Sequence, residues 1–153
     1  MRYFKYDLWI NDAEDEWREN DLKYSEYFNT IKKDFSQDFL DSYYCACGFH
    51  DYEIRSMIMS KDNTFVLELY TEQKRVFVEY KNVSKVSFSS HRNKDMSIYG
   101  FLEWGYDEFY KEDDGSFTHS ILTSCGMEIT VVFKEVTASA SGCDKPRGTV
   151  VYF

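Results

Sequence analysis

Histidine and aspartate stand side by side at one point of this 153-residue chain, where His50 precedes Asp51. Metal-dependent phosphohydrolases use such a pair, but they need several more His and Asp ligands, and only His91 and His119 remain in the sequence. The two side chains also suit a structural role, in which Asp51 orients His50 or both tie the end of a helix to the strand that follows. The sequence favours the structural role.

Neighbouring carboxylates could support acid–base hydrolysis. Asp107 lies beside Glu108, and a glycosidase needs two carboxyl groups several ångströms apart in a cleft. Because the chain has 27 acidic residues, such pairs arise by chance, and a solvated acidic face is the simpler interpretation. A hydrolase that uses His50, Asp51, Asp107 and Glu108 remains the alternative hypothesis.

Other catalytic patterns are absent from the sequence, which has no GxSxG, P-loop or GxGxxG motif. The cysteines Cys45, Cys47, Cys125 and Cys143 lack both the CxxC pairing of a zinc site and the density of a disulfide framework. We therefore expect four reduced, partly buried thiols, no bound metal and no cofactor.

Charge and aromatic content indicate an interaction surface instead. The formal net charge is −9, and 19% of the residues are aromatic, which is more than a core of this size requires. An acidic field disfavours nucleic acid, because phosphate contacts depend on Lys and Arg, and the basic stretch from Lys81 to Lys94 is short. Such a field favours the steering of a basic protein partner.

The acidity is concentrated in two segments, residues 12–16 and 103–114. We expect both segments to contact the partner, with Trp104 as an aromatic anchor. The predicted contact residues are Asp12, Glu14, Asp15, Glu16, Glu103, Trp104, Tyr106, Asp107, Glu108, Asp113 and Asp114.

Two helices are predicted to precede the strands. Asn11 is a candidate N-cap, and apolar residues behind it recur at helical spacing, namely Trp17, Tyr24, Phe28, Ile31 and Phe35. Ser36 can cap a second helix that ends at Gly48, where a left-handed residue is needed. We expect a helical hairpin at residues 12–34 and 37–47.

The period then changes to alternation. Strands are predicted at 54–59, 65–70, 76–80, 86–89, 107–111, 117–123 and 127–136, with a loop at 138–148 and a last strand or tail at Thr149–Phe153. This order indicates an α+β fold, in which the N-terminal helical hairpin packs on a mainly antiparallel, meander-like β-sheet. The predicted core is Trp17, Phe28, Ile31, Phe39, Tyr43, Leu67, Leu69, Val78, Ile129, Val131 and Phe133.

The chain is expected to be a single domain over residues 1–153, because no Pro/Gly/Ser-rich linker divides it. Residues 2–7 lack the apolar run of a signal peptide, and no segment is long and apolar enough to cross a bilayer. We therefore expect a cytoplasmic protein without membrane contact.

Several short motifs carry a resemblance. They are Met1-Arg2-Tyr3-Phe4 with Leu8-Trp9, the helix of Trp17, Gly48-Phe49-His50-Asp51, Tyr80-Lys81-Asn82-Val83 and Trp104-Gly105-Tyr106-Asp107-Glu108. Together they resemble a family of small bacterial proteins known only as a domain of unknown function. The resemblance spans nearly the whole chain and implies a fold and a length, but no activity.

Two functional hypotheses follow from the sequence. The first is a non-catalytic interaction module, most concretely an immunity-type protein that neutralises a basic toxin domain, such as a nuclease, through its acidic aromatic surface. The second is the hydrolase at His50 and Asp51.

Overall fold

Helices occupy the N-terminal third of the computed structural model, which describes residues 1–91 and 103–141. They are α1 (Tyr6–Ile10), α2 (Glu14–Ile31) and α3 (Gln37–Cys45), with 3₁₀ turns at Lys32–Asp34 and Cys47–Phe49. The Ser36 side chain accepts a hydrogen bond from the Phe39 N–H, as predicted, and Gly48 is left-handed with φ 65°.

The predicted start of the first long helix is wrong. Helix α2 begins at Glu14 after Ala13, which makes no side-chain cap, and Asn11 instead ends the short helix α1. Asp12 between the two helices has a φ of 51°, and this left-handed residue breaks the helical path.

Eight strands follow the helices in the described residues. They are β1 (Glu53–Met59), β2 (Phe65–Tyr70), β3 (Arg75–Lys81), β4 (Lys85–Ser90), β5 (Trp104–Lys111), β6 (Phe117–Thr123), β7 (Met127–Phe133) and β8 (Glu135–Ser141). Their pairing is antiparallel throughout, so the α+β prediction is confirmed. The strands form two four-stranded sheets, ordered β1-β2-β3-β8 and β4-β7-β6-β5, in place of a single meander.

The division into two sheets comes from a corner at Lys134. The predicted strand 127–136 breaks there into β7 and β8, and β8 takes up residues 138–141, where a loop was predicted. Residues 142–148 and Thr149–Phe153 lie outside the described part of the chain. At the corner, the Lys134 N–H donates to the Lys81 carbonyl and the Ser84 N–H donates to the Val132 carbonyl. The paired strands β3–β4 and β7–β8 therefore form one bent ribbon that passes through both sheets.

The opposite edges of the two sheets also meet. Glu53 and Glu103 form an antiparallel bridge, and the Trp104 N–H donates to the Tyr52 carbonyl. Strand β5 is an edge strand, and helix α2 lies along it. The Tyr24 hydroxyl accepts from the Phe109 N–H at 2.7 Å, and the Tyr27 hydroxyl accepts from the Lys111 N–H at 3.1 Å. These two tyrosines accept hydrogen bonds from edge N–H groups of β5 that could otherwise pair with another strand.

The core lies between the sheets and under α2 and α3, and much of it is aromatic. Phe109 packs against Phe28 of α2, Phe39 of α3 and Phe35 of the connection between them. Of the predicted core residues, Trp17 and Tyr43 are half-buried and the other nine are buried. Among the helices of the described residues, none combines the length and apolarity needed to span a bilayer.

Candidate functional site

A chain of four polar side chains runs through the interior. The Tyr80 hydroxyl lies 2.8 Å from His119 Nδ1, His119 Nε2 lies 2.8 Å from Asp107 Oδ2, and the Tyr43 hydroxyl donates to both oxygens of Asp107 at 2.9 Å. His119 has no exposed surface, and its ring stacks on Phe109 with 3.7 Å between centroids. These contacts join α3 to both sheets.

Burial decides the protonation of this chain. It lowers the pKa of His119, although the hydrogen bond and charge of Asp107 oppose the shift. Burial, followed by the charge of Asp107, raises the pKa of Tyr80 and Tyr43 well above the ordinary value. A neutral imidazole therefore donates from Nε2 to Asp107 and accepts from Tyr80 at Nδ1. Because His119 is sealed, this His–Asp pair satisfies buried polar groups rather than meeting a substrate.

Glu108 is committed to the N-terminal segment. Its carboxylate is fully buried and accepts backbone hydrogen bonds from Arg2, Tyr3 and Phe4 at 2.5–2.7 Å. Burial raises the pKa of Glu108, while these three N–H groups act in the opposite direction. The side chain therefore holds residues 2–4 against the outside of β5.

The prediction that Trp104, Asp107 and Glu108 face a partner is wrong, because all three are buried. Successive residues of β5 point to opposite faces, and both faces are covered, one by the helices and the other by residues 2–4. The Trp104 indole N–H has no hydrogen-bond partner in the described part of the chain. Burial of this unpaired donor costs stability.

His50 and Asp51 form the predicted pair but are not joined by the other two residues of the hydrolase hypothesis. His50 Nδ1 lies 3.0 Å from Asp51 Oδ1, and the Asp51 side chain is 84% exposed. The Asp51 N–H donates to the Trp104 carbonyl, which links this junction to β5. Asp107 and Glu108 are engaged with His119 and the N-terminal segment, so the structure does not assemble the four-residue site.

The remaining predicted contact residues are divided between the ends of β5. Asp113 and Asp114 lie in the β5–β6 turn, where Asp114 binds the Ser116 hydroxyl and N–H. Asp15, Glu16 and Glu103 are exposed near the other end. The predicted surface is therefore not one continuous patch.

One end of β5 forms the wall of a groove. Its cavity volume is about 650 Å³, and it lies between α1, α2 and Tyr106. The lining residues are Leu8, Trp9, Asp12, Ala13, Glu14, Trp17, Arg18, Asp21 and Tyr106. Three of the predicted contact residues, Asp12, Glu14 and Tyr106, are thus brought together here.

Aromatic rings dominate the walls of this groove. Trp17 and Trp9 meet Tyr106 at centroid distances of 4.3 and 5.1 Å, with interplanar angles of 61° and 88°. Gly105 allows this packing, because a Cβ at that position would lie 2.5 Å from Trp9 Cη2 and 2.9 Å from the Leu122 carbonyl oxygen. The register of β5 against β6 shifts at the same place, between Trp104 and Tyr106.

The groove is acidic. Asp12, Glu14 and Asp21 contribute three carboxylates against the single guanidinium of Arg18. Burial raises the pKa of the Tyr106 hydroxyl, and the negative charges of Asp51 and Asp21 raise it further. The described residues contain no group of three or more His, Cys, Asp and Glu placed to hold a metal ion.

Two of the three described cysteines differ from the expectation of partly buried thiols, and Cys125 agrees with it. Cys45 and Cys47 are free and exposed at the end of α3, whereas Cys125 is free and half-buried. Their exposure follows from their position, because the buried stripe of α3 is formed by Phe39 and Leu40. Cys143 lies outside the described residues.

Residues 3–133 match the model of a family described as "Protein of unknown function (DUF4085)". The chain belongs to this family. The predicted resemblance to a family described as a domain of unknown function is therefore confirmed. Comparison with curated proteins gave no match. A solved structure of an uncharacterized protein from Neisseria gonorrhoeae is similar at a TM-score of 0.43 and 16% identity, over 60% of this chain and 92% of that one.

Sequence reasoning missed Trp9, Asp21 and Arg18 as residues of the groove in this DUF4085 chain. Helix α1 has only five residues, too few for a periodic pattern, so Trp9 had no predicted neighbour. Gly105 carried the usable signal, because a glycine inside a strand often marks an irregularity or a close approach.

Proposed function

We propose that this protein is a non-catalytic interaction module that binds a basic protein partner at the groove of Trp9, Trp17 and Tyr106. In its most concrete form it is a cytoplasmic immunity-type protein that neutralises a basic toxin domain. The observation that carries the proposal is the meeting of aromatic walls and carboxylates in one open cavity of about 650 Å³. Aromatic anchors with an acidic rim suit a positively charged surface.

The carboxylates of the groove are available for such a partner. Among the ion pairs of residues 1–91 and 103–141, none uses Asp12, Glu14 or Asp21. Their charges are therefore not compensated by an ion pair within the part of the chain that the structure describes. Together with a net charge of −9, they favour fast association with a basic protein.

The aromatic walls supply the other half of the interface. Trp9, Trp17 and Tyr106 are only half-buried, although each packs against another ring. Partial exposure of large rings in a concave site supports a role as anchors that fill with partner side chains. The hydrolase alternative has no comparable support, because Asp107 and Glu108 are engaged elsewhere.

The test measures association with a basic protein captured from the host and then purified, or with a toxin domain where a neighbouring gene encodes one. In biolayer interferometry, the on-rate should fall steeply as salt rises from 50 to 300 mM, values chosen to shorten the Debye length. The double variant Asp12→Lys/Glu14→Lys should lower the on-rate about tenfold at low salt.

The matched control is Glu26→Lys/Glu72→Lys, which makes the same charge change at exposed positions outside the groove. It should reduce the on-rate much less than the groove variant. Equal effects of the two double variants, or failure to bind any basic partner, would remove the support for the proposal.

A further inference from the structure

The groove offers more than negative charge, because its ring-lined walls carry unused hydrogen-bonding groups. In the part of the chain that the structure describes, no hydrogen bond within the protein uses the indole N–H of Trp9 or Trp17 or the hydroxyl of Tyr106. Other aromatic hydroxyls nearby are engaged, since Tyr24 and Tyr27 bind the backbone of β5. Of these groups, only the Tyr106 hydroxyl can accept a hydrogen bond from a cationic ligand, because the two indole N–H groups are donors.

The rings also have a shape suited to a flat cation. Trp9 and Trp17 stand at 88° and 61° to Tyr106, so the three rings form walls at an angle rather than one stack. Phe4 stacks against Tyr106 at 5.5 Å and supports it from the protein side. A cation placed against such walls is attracted by ring faces and by carboxylates at the same time.

On these grounds, and resting on the proposed function, we propose that the groove binds an arginine side chain of the basic partner, with its guanidinium against Trp9, Trp17 and Tyr106 and its N–H groups directed to Asp12, Glu14 and Asp21. Arginine fits this chemistry better than lysine. Its guanidinium is planar, weakly hydrated and able to stack on rings while it donates to more than one carboxylate. A lysine ammonium is compact and strongly hydrated, and it gains less from the ring walls.

Arg18 of the groove itself makes the proposal more specific. It lines the cavity, is exposed and takes part in no ion pair among the described residues. It places a guanidinium next to the carboxylates that would receive the partner's arginine, and like charges repel. Replacement of Arg18 by Gln should therefore tighten arginine binding.

The three tryptophans of the chain provide a direct readout. A ¹⁵N-labelled sample gives one indole N–H signal for each of Trp9, Trp17 and Trp104, assigned with single Trp→Phe variants. The probe is the peptide acetyl-Gly-Arg-Gly-amide, titrated at constant ionic strength, with lysine and citrulline peptides as matched controls. Citrulline has nearly the shape of arginine without its charge.

The arginine peptide should shift the signals of Trp9 and Trp17 and leave Trp104, which is buried, unchanged. The lysine peptide should bind about fivefold more weakly, and the citrulline peptide should cause no saturable shift. The variant Arg18→Gln should strengthen arginine binding, and Asp12→Asn/Glu14→Gln should weaken it.

Equal affinity for the lysine or citrulline peptide, a shift confined to Trp104, or no shift at all would overturn the inference. Failure here is distinct from failure of the proposed function. If the peptides do not discriminate but the intact partner still depends on Asp12 and Glu14, the interaction module stands and the arginine site falls. If the partner is also insensitive to those carboxylates, both fall.

Discussion

His119 should make the protein lose stability as the pH falls below neutrality. Burial lowers the pKa of His119 in the folded protein, whereas in the unfolded chain the imidazole returns to its ordinary value of 6.5. Below pH 6.5 the unfolded chain therefore binds a proton at His119 more readily than the folded protein does. The stability contributed by the neutral imidazole is complete above pH 6.5 and is lost progressively below it.

The size of the effect follows from one proton. While His119 stays neutral in the fold, the free energy of unfolding should fall by about 1.4 kcal/mol between pH 7.5 and 5.5, with a limiting slope of about 1.4 kcal/mol per pH unit. Glu108 acts with the opposite sign, because its raised pKa adds stability as the pH falls toward its folded value. Burial raises the pKa of Glu128, but the N-terminal amine and His91 lower it overall. The stability that the Glu128 carboxylate contributes is therefore lost only as the pH falls below its ordinary pKa of 4.5.

The assay is urea unfolding at pH 7.5, 6.5 and 5.5 of the wild type, His119→Gln and the control His50→Gln, whose side chain is partly exposed. Glu108 contributes equally to all three proteins, so the difference between wild type and His119→Gln isolates the imidazole. That difference should shrink by up to about 1.4 kcal/mol over the pH range, the limit for an imidazole that stays neutral in the fold, and His50→Gln controls for removal of an imidazole elsewhere. If His119→Gln does not fold, the imidazole carbon protons of His119 in the wild type should titrate with a midpoint below pH 6.5. A slope unchanged by His119→Gln, or a His119 resonance that titrates near pH 6.5, would refute the reasoning.

Two further predictions concern the walls of the groove and the edge of the sheet. Gly105→Ala should lower the free energy of unfolding by about 1–3 kcal/mol, because the added Cβ would meet the Trp9 indole and the Leu122 carbonyl. In a Trp9→Ala background, urea unfolding should show a smaller loss for the same substitution. Additive losses from the two substitutions would contradict the contact. Tyr24→Phe should cost about 1–3 kcal/mol because it leaves the buried Phe109 N–H unpaired, whereas Tyr27→Phe should cost less than about 1 kcal/mol because water reaches the Lys111 N–H. Equal losses for the two tyrosine variants would show that burial of the N–H does not set the cost.

Alternation and capping made much of the fold predictable. In β2 the buried residues are Phe65, Leu67 and Leu69, as the period of two predicted, and Ser36 caps α3. The corner at Lys134 was missed, although the alternation of Met127, Ile129, Val131 and Phe133 is interrupted there by Lys134 and Glu135. A change of sheet within a paired ribbon depends on the partner strand, which lies about fifty residues away in sequence.

The candidate site was predicted only in part, for a similar reason. The acidic residues of β5 suggested an exposed surface. Asp107 is instead buried against Tyr43 and His119, which lie at distant positions in the sequence and hydrogen-bond to its carboxylate. Charge alone cannot distinguish a solvated carboxylate from one held by such partners. The structure brings Asp12, Glu14 and Tyr106 together at the groove, and their contact with a partner stays a prediction.

The bent ribbon of β3–β4 and β7–β8 has a consequence for recognition. Because both strands remain paired through the corner, the two sheets cannot rotate apart without breaking backbone hydrogen bonds such as those between Lys134 and Lys81 and between Ser84 and Val132. The backbone of β5, which carries Tyr106 in the second sheet, is therefore held in place before a partner binds. The entropy lost on binding should come mainly from side chains at the rim and from the partner, and little from ordering the backbone of this protein.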